Sequence, residues 1–141
     1  MIKLNKFIFY MILLLPITLR AELLTSEVIT QISNQMRSGW IGQRIDSITT
    51  VSDFKINLIG ERLYIKIDYD ISIDFDKTRR KKSELDIWLN QASRDKAKDA
   101  CKYWGNIPNK VDNVKYVIFS STYNFSDDFE VTSPQWNCTE L

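Results

Sequence analysis

Apolar residues occupy every second position from Leu63 to Phe75, at Leu63, Ile65, Ile67, Tyr69, Ile71, Ile73 and Phe75. Successive side chains of a strand point to opposite faces, so Tyr64, Lys66, Asp68, Asp70, Ser72 and Asp74 share the other side. The stretch predicts a long β-strand with one buried face. At about 1.5–3 kcal/mol for each large side chain buried, that face offers about 10–20 kcal/mol of gross stabilisation, and another layer must cover it.

Upstream, Ile48 to Leu58 reads as a first strand, with Ile48, Phe54, Ile56 and Leu58 on one face. Gly60 and Glu61 separate the two strands, and a two-residue loop with Gly first fits a type II′ hairpin turn. That turn sets Leu58 opposite Leu63, Ile56 opposite Ile65 and Phe54 opposite Ile67. It also opposes Lys55 to Lys66 and Asp53 to Asp68, which is mildly unfavourable. A shift of two residues would pair Lys55 with Asp68 through a poorer Glu61-Arg62 turn, and both registers stand open.

Val28, Ile29, Ile32 and Met36 recur at helical spacing from Thr25 to Ser38, with Thr25 or Ser26 as cap and Gly39 as stop. Trp40, just past that Gly, is expected to fold back on the last turn. A second helix starts at Ser83, carries Leu85, Trp88, Leu89, Ala92, Ala100, Tyr103 and Trp104 as its apolar stripe, and ends at Gly105, with Pro108 beyond. Val114 to Phe125 predicts a third strand. Phe129 to Cys138 predicts a fourth, in which Pro134 demands an edge or a bulge.

The pattern as a whole predicts one α+β domain in the order α-β-β-α-β-β, a four-stranded antiparallel sheet with two helices on one face. Residues 44–48 and 110–114 match in residue class, and the same offset carries Gly60-Glu61 onto Ser126-Asp127. This offset reads as helix, strand, strand occurring twice.

Residues 1–21 stand apart from this pattern. Lys3 and Lys6 precede an apolar run from Phe7 to Leu19, and Ala21 offers a small residue for cleavage, so a secretory signal peptide is expected, with residues 22–141 as the exported domain. Losing Lys3, Lys6 and Arg20 takes the basic count from 19 to 16 against 18 acidic residues, a formal charge of −2. A general nucleic-acid binder would be basic, so nucleic acid is not the expected partner. Export to the periplasm or the exterior also sets the redox state. Cys101 and Cys138, the only two cysteines, are expected to form a disulfide.

Candidate chemistry is sparse. The chain has no histidine, which removes Ser-His-Asp and Cys-His nucleophilic systems and His-containing zinc sites. Its four glycines are not clustered, so no phosphate-binding loop is present. Asp53, Asp68, Asp70, Asp74 and Asp76 are expected on a solvated sheet face beside Lys55 and Lys66, unsuited to a glycosidase that needs one acid in an apolar pocket. No catalytic residue, metal site or cofactor is assigned.

Lys77, Arg79, Arg80, Lys81 and Lys82 make the loop before the second helix strongly basic. It suits an acidic protein patch or an anionic membrane surface. Trp40 and Trp136 are the tryptophans expected at a contact surface, whereas Trp88 and Trp104 are expected in the core. Asn124-Phe125-Ser126 and Asn137-Cys138-Thr139 match the glycosylation acceptor pattern. These features favour a non-enzymatic exported module that binds another protein, such as an inhibitor, an immunity protein or an accessory subunit of an envelope machine. The alternative is a small-ligand domain with a pocket between sheet and helices.

Overall fold

The computed structural model describes residues 23–78 and 81–141. The expected signal peptide and its cleavage site lie outside them, as do Arg79 and Arg80. Across the described residues the fold is α+β, with two helices and a mixed five-stranded sheet.

Helix α1 spans Ser26–Trp40, and the Thr25 hydroxyl accepts the amide of Val28 at 3.3 Å. Ile32, Met36 and Trp40, four residues apart, form its buried stripe. The helix runs through Gly39 rather than stopping there, because Trp40 completes the stripe in the last turn. The left-handed residue is Gly42, at φ +85°. That turn lays residues 42–45 along the start of the next strand.

Strands β1 (Thr49–Ile59) and β2 (Arg62–Ile71) form the expected antiparallel hairpin. Its register is the first of the two considered: Leu58 faces Leu63, Ile56 faces Ile65, and Phe54 faces Ile67. Gly60 has φ +60° and Glu61 does not have a positive φ, as a II′ turn requires. One extra residue bulges into β1 between Val51 and Asp53. The alternation beyond Ile71 does not stay in the sheet. Phe75 instead opens a 3₁₀ turn, Phe75–Thr78, and stacks on Phe129 at 4.3 Å.

Helix α2 spans Lys82–Trp104 and begins one residue before Ser83; the carboxylate of Glu84 accepts the amide of Lys81 at 3.4 Å. Its buried stripe is Leu85, Leu89, Ser93, Ala97 and Trp104. Trp88 lies beside that stripe and is 40% exposed, contrary to its expected core position.

Strand β3 (Tyr116–Phe125) pairs with β2 in parallel, from Arg62 opposite Tyr116 to Ile71 opposite Phe125. The expected all-antiparallel sheet is therefore corrected to a mixed one. At about 1.5 Å per residue, a 23-residue helix returns the chain to the starting end of β2, and a strand entering there runs the same way. The expected fourth strand is broken around Pro134 into β4 (Glu130–Thr132) and β5 (Trp136–Asn137), both antiparallel to β3. The strand order is β1-β2-β3-β4, with β5 also on β3.

Both helices cover the same sheet face. Trp40 of α1 and Trp104 of α2 meet the ring of Phe54 at 6.0 and 6.2 Å, and Met36, Leu63, Ile65 and Val117 are buried around them. Cys101 and Cys138 form the expected disulfide. No described helix is long and apolar enough to cross a membrane.

Candidate functional site

The residues expected to make contacts do not converge. Trp40 is only 4% exposed and belongs to the core, so it cannot serve as a contact residue in this fold. Trp136 is half-buried on β5; its indole N–H donates to Ser93 Oγ at 2.9 Å, and Arg94 lies 6.0 Å over its ring. Of the basic loop, Lys77 is exposed and pairs with Asp74 at 3.3 Å, and Lys81 is exposed just before α2.

On the outer sheet face, the opposed like charges are resolved by diagonals. Lys55 reaches Asp68 at 3.3 Å and Asp53 at 3.8 Å, Lys66 reaches Asp68 at 3.6 Å, and Arg37 of α1 reaches Asp53 at 3.2 Å. Asp53 and Asp68 are thus engaged in ion pairs. Asp74 is held below the usual carboxylate range by the Ser126 hydroxyl at 2.7 Å and by Lys77. Burial pushes Asp46 up, but amide donors at Ile48 and Thr49, with Lys96, bring it below the usual range. A general acid needs the opposite shift.

At the other end of the covered face, Tyr69 and Tyr123 sit opposite each other on the parallel strands and stack at 5.3 Å. Lys96 of α2 lies 4.4 Å over the first ring and donates to the hydroxyl of Tyr123 at 3.4 Å. Burial lowers its pKa, against the opposing charge of Asp46. Burial also raises Tyr69, and raises Tyr123 to about 12. The lysine stem and ammonium close this aromatic layer by cation–π contact.

A built concavity lies at the opposite border of the sheet. Among the described strands, β1 is the first in the sheet order and pairs with β2 alone. Its free side is covered at the start: Gly42 N–H donates to the Val51 carbonyl at 2.8 Å, and Val51 N–H donates to the Gln43 carbonyl at 2.9 Å. Past the bulge, no strand among the described residues covers it. The amide of Phe54 donates to its neighbour Asp53's carboxylate at 2.8 Å and so is not committed to β2. Strand alternation turns the amides of Ile56 and Leu58 to the same free side.

Beside this edge runs a groove of about 430 Å³ between α1 and β1. The helix contributes Ser26, Ile29, Thr30, Ser33 and Asn34. The strand contributes Ile56, Asn57 and Leu58. Helix spacing puts Ser26, Thr30 and Ser33 on one side of α1, with Ile29 and Ser33 four apart. The stripe Ile32-Met36-Trp40 anchors the helix to the core and leaves that side facing the edge.

Sequence reasoning placed β1 in a hairpin without distinguishing its two borders. The usable signal was the row of small polar residues on α1 beside an otherwise apolar stripe, together with the mixed sheet that leaves β1 outermost.

Comparison of the chain with known protein families, with curated proteins and with solved structures finds no match. The site therefore rests on its geometry.

Proposed function

We propose that the protein is a non-enzymatic, exported module that binds another protein, and that the open border of β1 beside α1 is its contact surface. One observation carries this reading: an eleven-residue edge strand, paired on one side only past its bulge, lies against a groove. Unpaired strand edges template pairing with another chain. Here the edge is covered by the chain's own segment as far as Val51, the Phe54 amide is taken by Asp53, and the amides of Ile56 and Leu58 follow on the same side. The disulfide supports an oxidising compartment, and with it export to the periplasm or the exterior. The small-ligand alternative placed its pocket between sheet and helices, where Met36, Trp40, Phe54 and Trp104 pack together. The basic loop remains a separate candidate for an acidic partner patch or an anionic membrane surface.

The test compares the oxidised protein with two variants in capture from envelope and secreted fractions. Thr30→Glu/Asn34→Glu alters two exposed groove residues, and a second variant replaces the five basic loop residues with Ser. A partner retained by the wild type and the loop variant but lost by the groove variant, with unchanged unfolding midpoints, supports the edge. Loss on the loop variant alone moves the contact surface to the loop. Equal retention by all three contradicts both assignments.

A further inference from the structure

The groove differs from the rest of the molecular surface in its charge. Asp, Glu, Lys and Arg make up 26% of the chain, yet none lines the groove. The nearest charges on β1 are Asp53, which accepts the Phe54 amide at the start of the free border and pairs with Arg37, and Lys55, which is engaged with Asp68. No charged side chain lines the groove to pair with an incoming ammonium or carboxylate.

The backbone also states what conformation an occupant would take. The chain's own segment at residues 42–45 already lies on this border of β1, with Arg44 in an antiparallel bridge to Thr50. A second extended segment placed past the bulge would continue the same line toward Ile59. It would find the free amides of Ile56 and Leu58 spaced two residues apart, at about 3.3 Å per residue. Its alternate side chains would point toward Ile29, Ile56 and Leu58, and the others toward Asn57 and the solvated face.

We infer that the β1 border accepts an extended segment of a partner protein that is uncharged where it faces α1 and carries small or medium apolar residues at every second position. This rests on the reading of the β1 edge as the protein-binding surface and adds the chemistry of what it receives.

Terminally blocked peptides test it against the isotope-labelled oxidised protein, with amide shifts as readout. The first peptide alternates Ser or Asn with Val or Leu; the second and third replace the central apolar residue with Lys or with Glu. The expected result is saturable movement of the amides of Ile56 and Leu58 with the first peptide, and affinity at least about tenfold weaker for the charged ones. The same peptide should fail to move those amides in Thr30→Glu/Asn34→Glu. Equal affinity for a charged peptide overturns the inference, as does movement confined to another surface. Concentration-dependent movement of the same amides without peptide also overturns it, by assigning the edge to a second copy. If no peptide binds but a captured protein partner is still lost from the groove variant, the contact surface stands and the segment chemistry fails. Retention of that partner by the groove variant defeats the surface itself.

Discussion

Ser93 shows how one side chain fixes a distant element. It is fully buried in the middle of α2, donates to the Asn90 carbonyl at 3.3 Å, and accepts the Trp136 indole N–H at 2.9 Å, holding β5 against the helix. Ser93→Ala leaves that indole donor without its acceptor and is expected to cost about 1–3 kcal/mol in denaturant unfolding. Adding Trp136→Phe to the same chain removes the orphaned donor, so the two losses should be less than additive. Additivity would mean the bond contributes nothing. Tyr123 sets a pH limit. Its raised pKa means that the stability it contributes is full below pH 10, the unfolded value, and is lost as pH rises through about 12. Over that window Tyr123→Phe should remove about 2–3 kcal/mol of the pH-dependent loss, read from unfolding at stepped alkaline pH. At this scale the sequence was only partly legible. Ser93 and Ala97 look polar or small on a helical wheel, and only the arrival of Trp136 and the close sheet explains them. Trp40 is buried because it falls four residues after Met36 on the α1 stripe, and Trp88 is 40% exposed because Leu89 takes the core position beside it.

Among the elements, the β1–β2 hairpin was the most legible. Strict alternation predicted its faces but left two registers open; the one found turns on Gly60 at φ +60°, and its opposed like charges are relieved by Lys55 and Lys66 through Asp68. Gly60→Ala has space for its methyl group but must adopt φ +60°, so a loss of about 1–2 kcal/mol is expected with the register intact. Gly105 behaves differently: its φ is −62°, but an added Cβ would run into the Cys101 carbonyl at the end of α2. Gly105→Ala should therefore destabilise the end that carries the disulfide, seen as faster amide exchange at residues 101–105. The direction of β3 was not legible from alternation, because a half-solvated face suggested antiparallel pairing while the length of α2 imposed a parallel return. The open border of β1 was hidden for the same reason. Which strand is outermost follows from how the second half of the chain docks, and no local pattern contains it.

For the whole molecule, the disulfide joins the last turn of α2 to the 3₁₀ turn just past β5. Cys101 and Cys138 are 37 residues apart, and opening that loop with Cys101→Ser/Cys138→Ser should lower stability by about 4 kcal/mol in the chain-entropy account. A loss below about 1 kcal/mol would mean that β5 and its Ser93 contact hold the tail without the bond. The two borders of the sheet are thus unequal. Among the described residues the far border is two short strands, β4 and β5, the second followed by the disulfide, while β1 is a long edge strand covered as far as Val51. The central claim is that the open stretch is where a partner binds. Hydrogen exchange of the oxidised protein, alone and with its captured partner, tests this most directly. Slowed exchange at the amides of Ile56 and Leu58 in the complex, with the outer sheet face unchanged, is the predicted result. Unchanged exchange along β1, with protection appearing at Lys77–Lys82 or elsewhere, would contradict it.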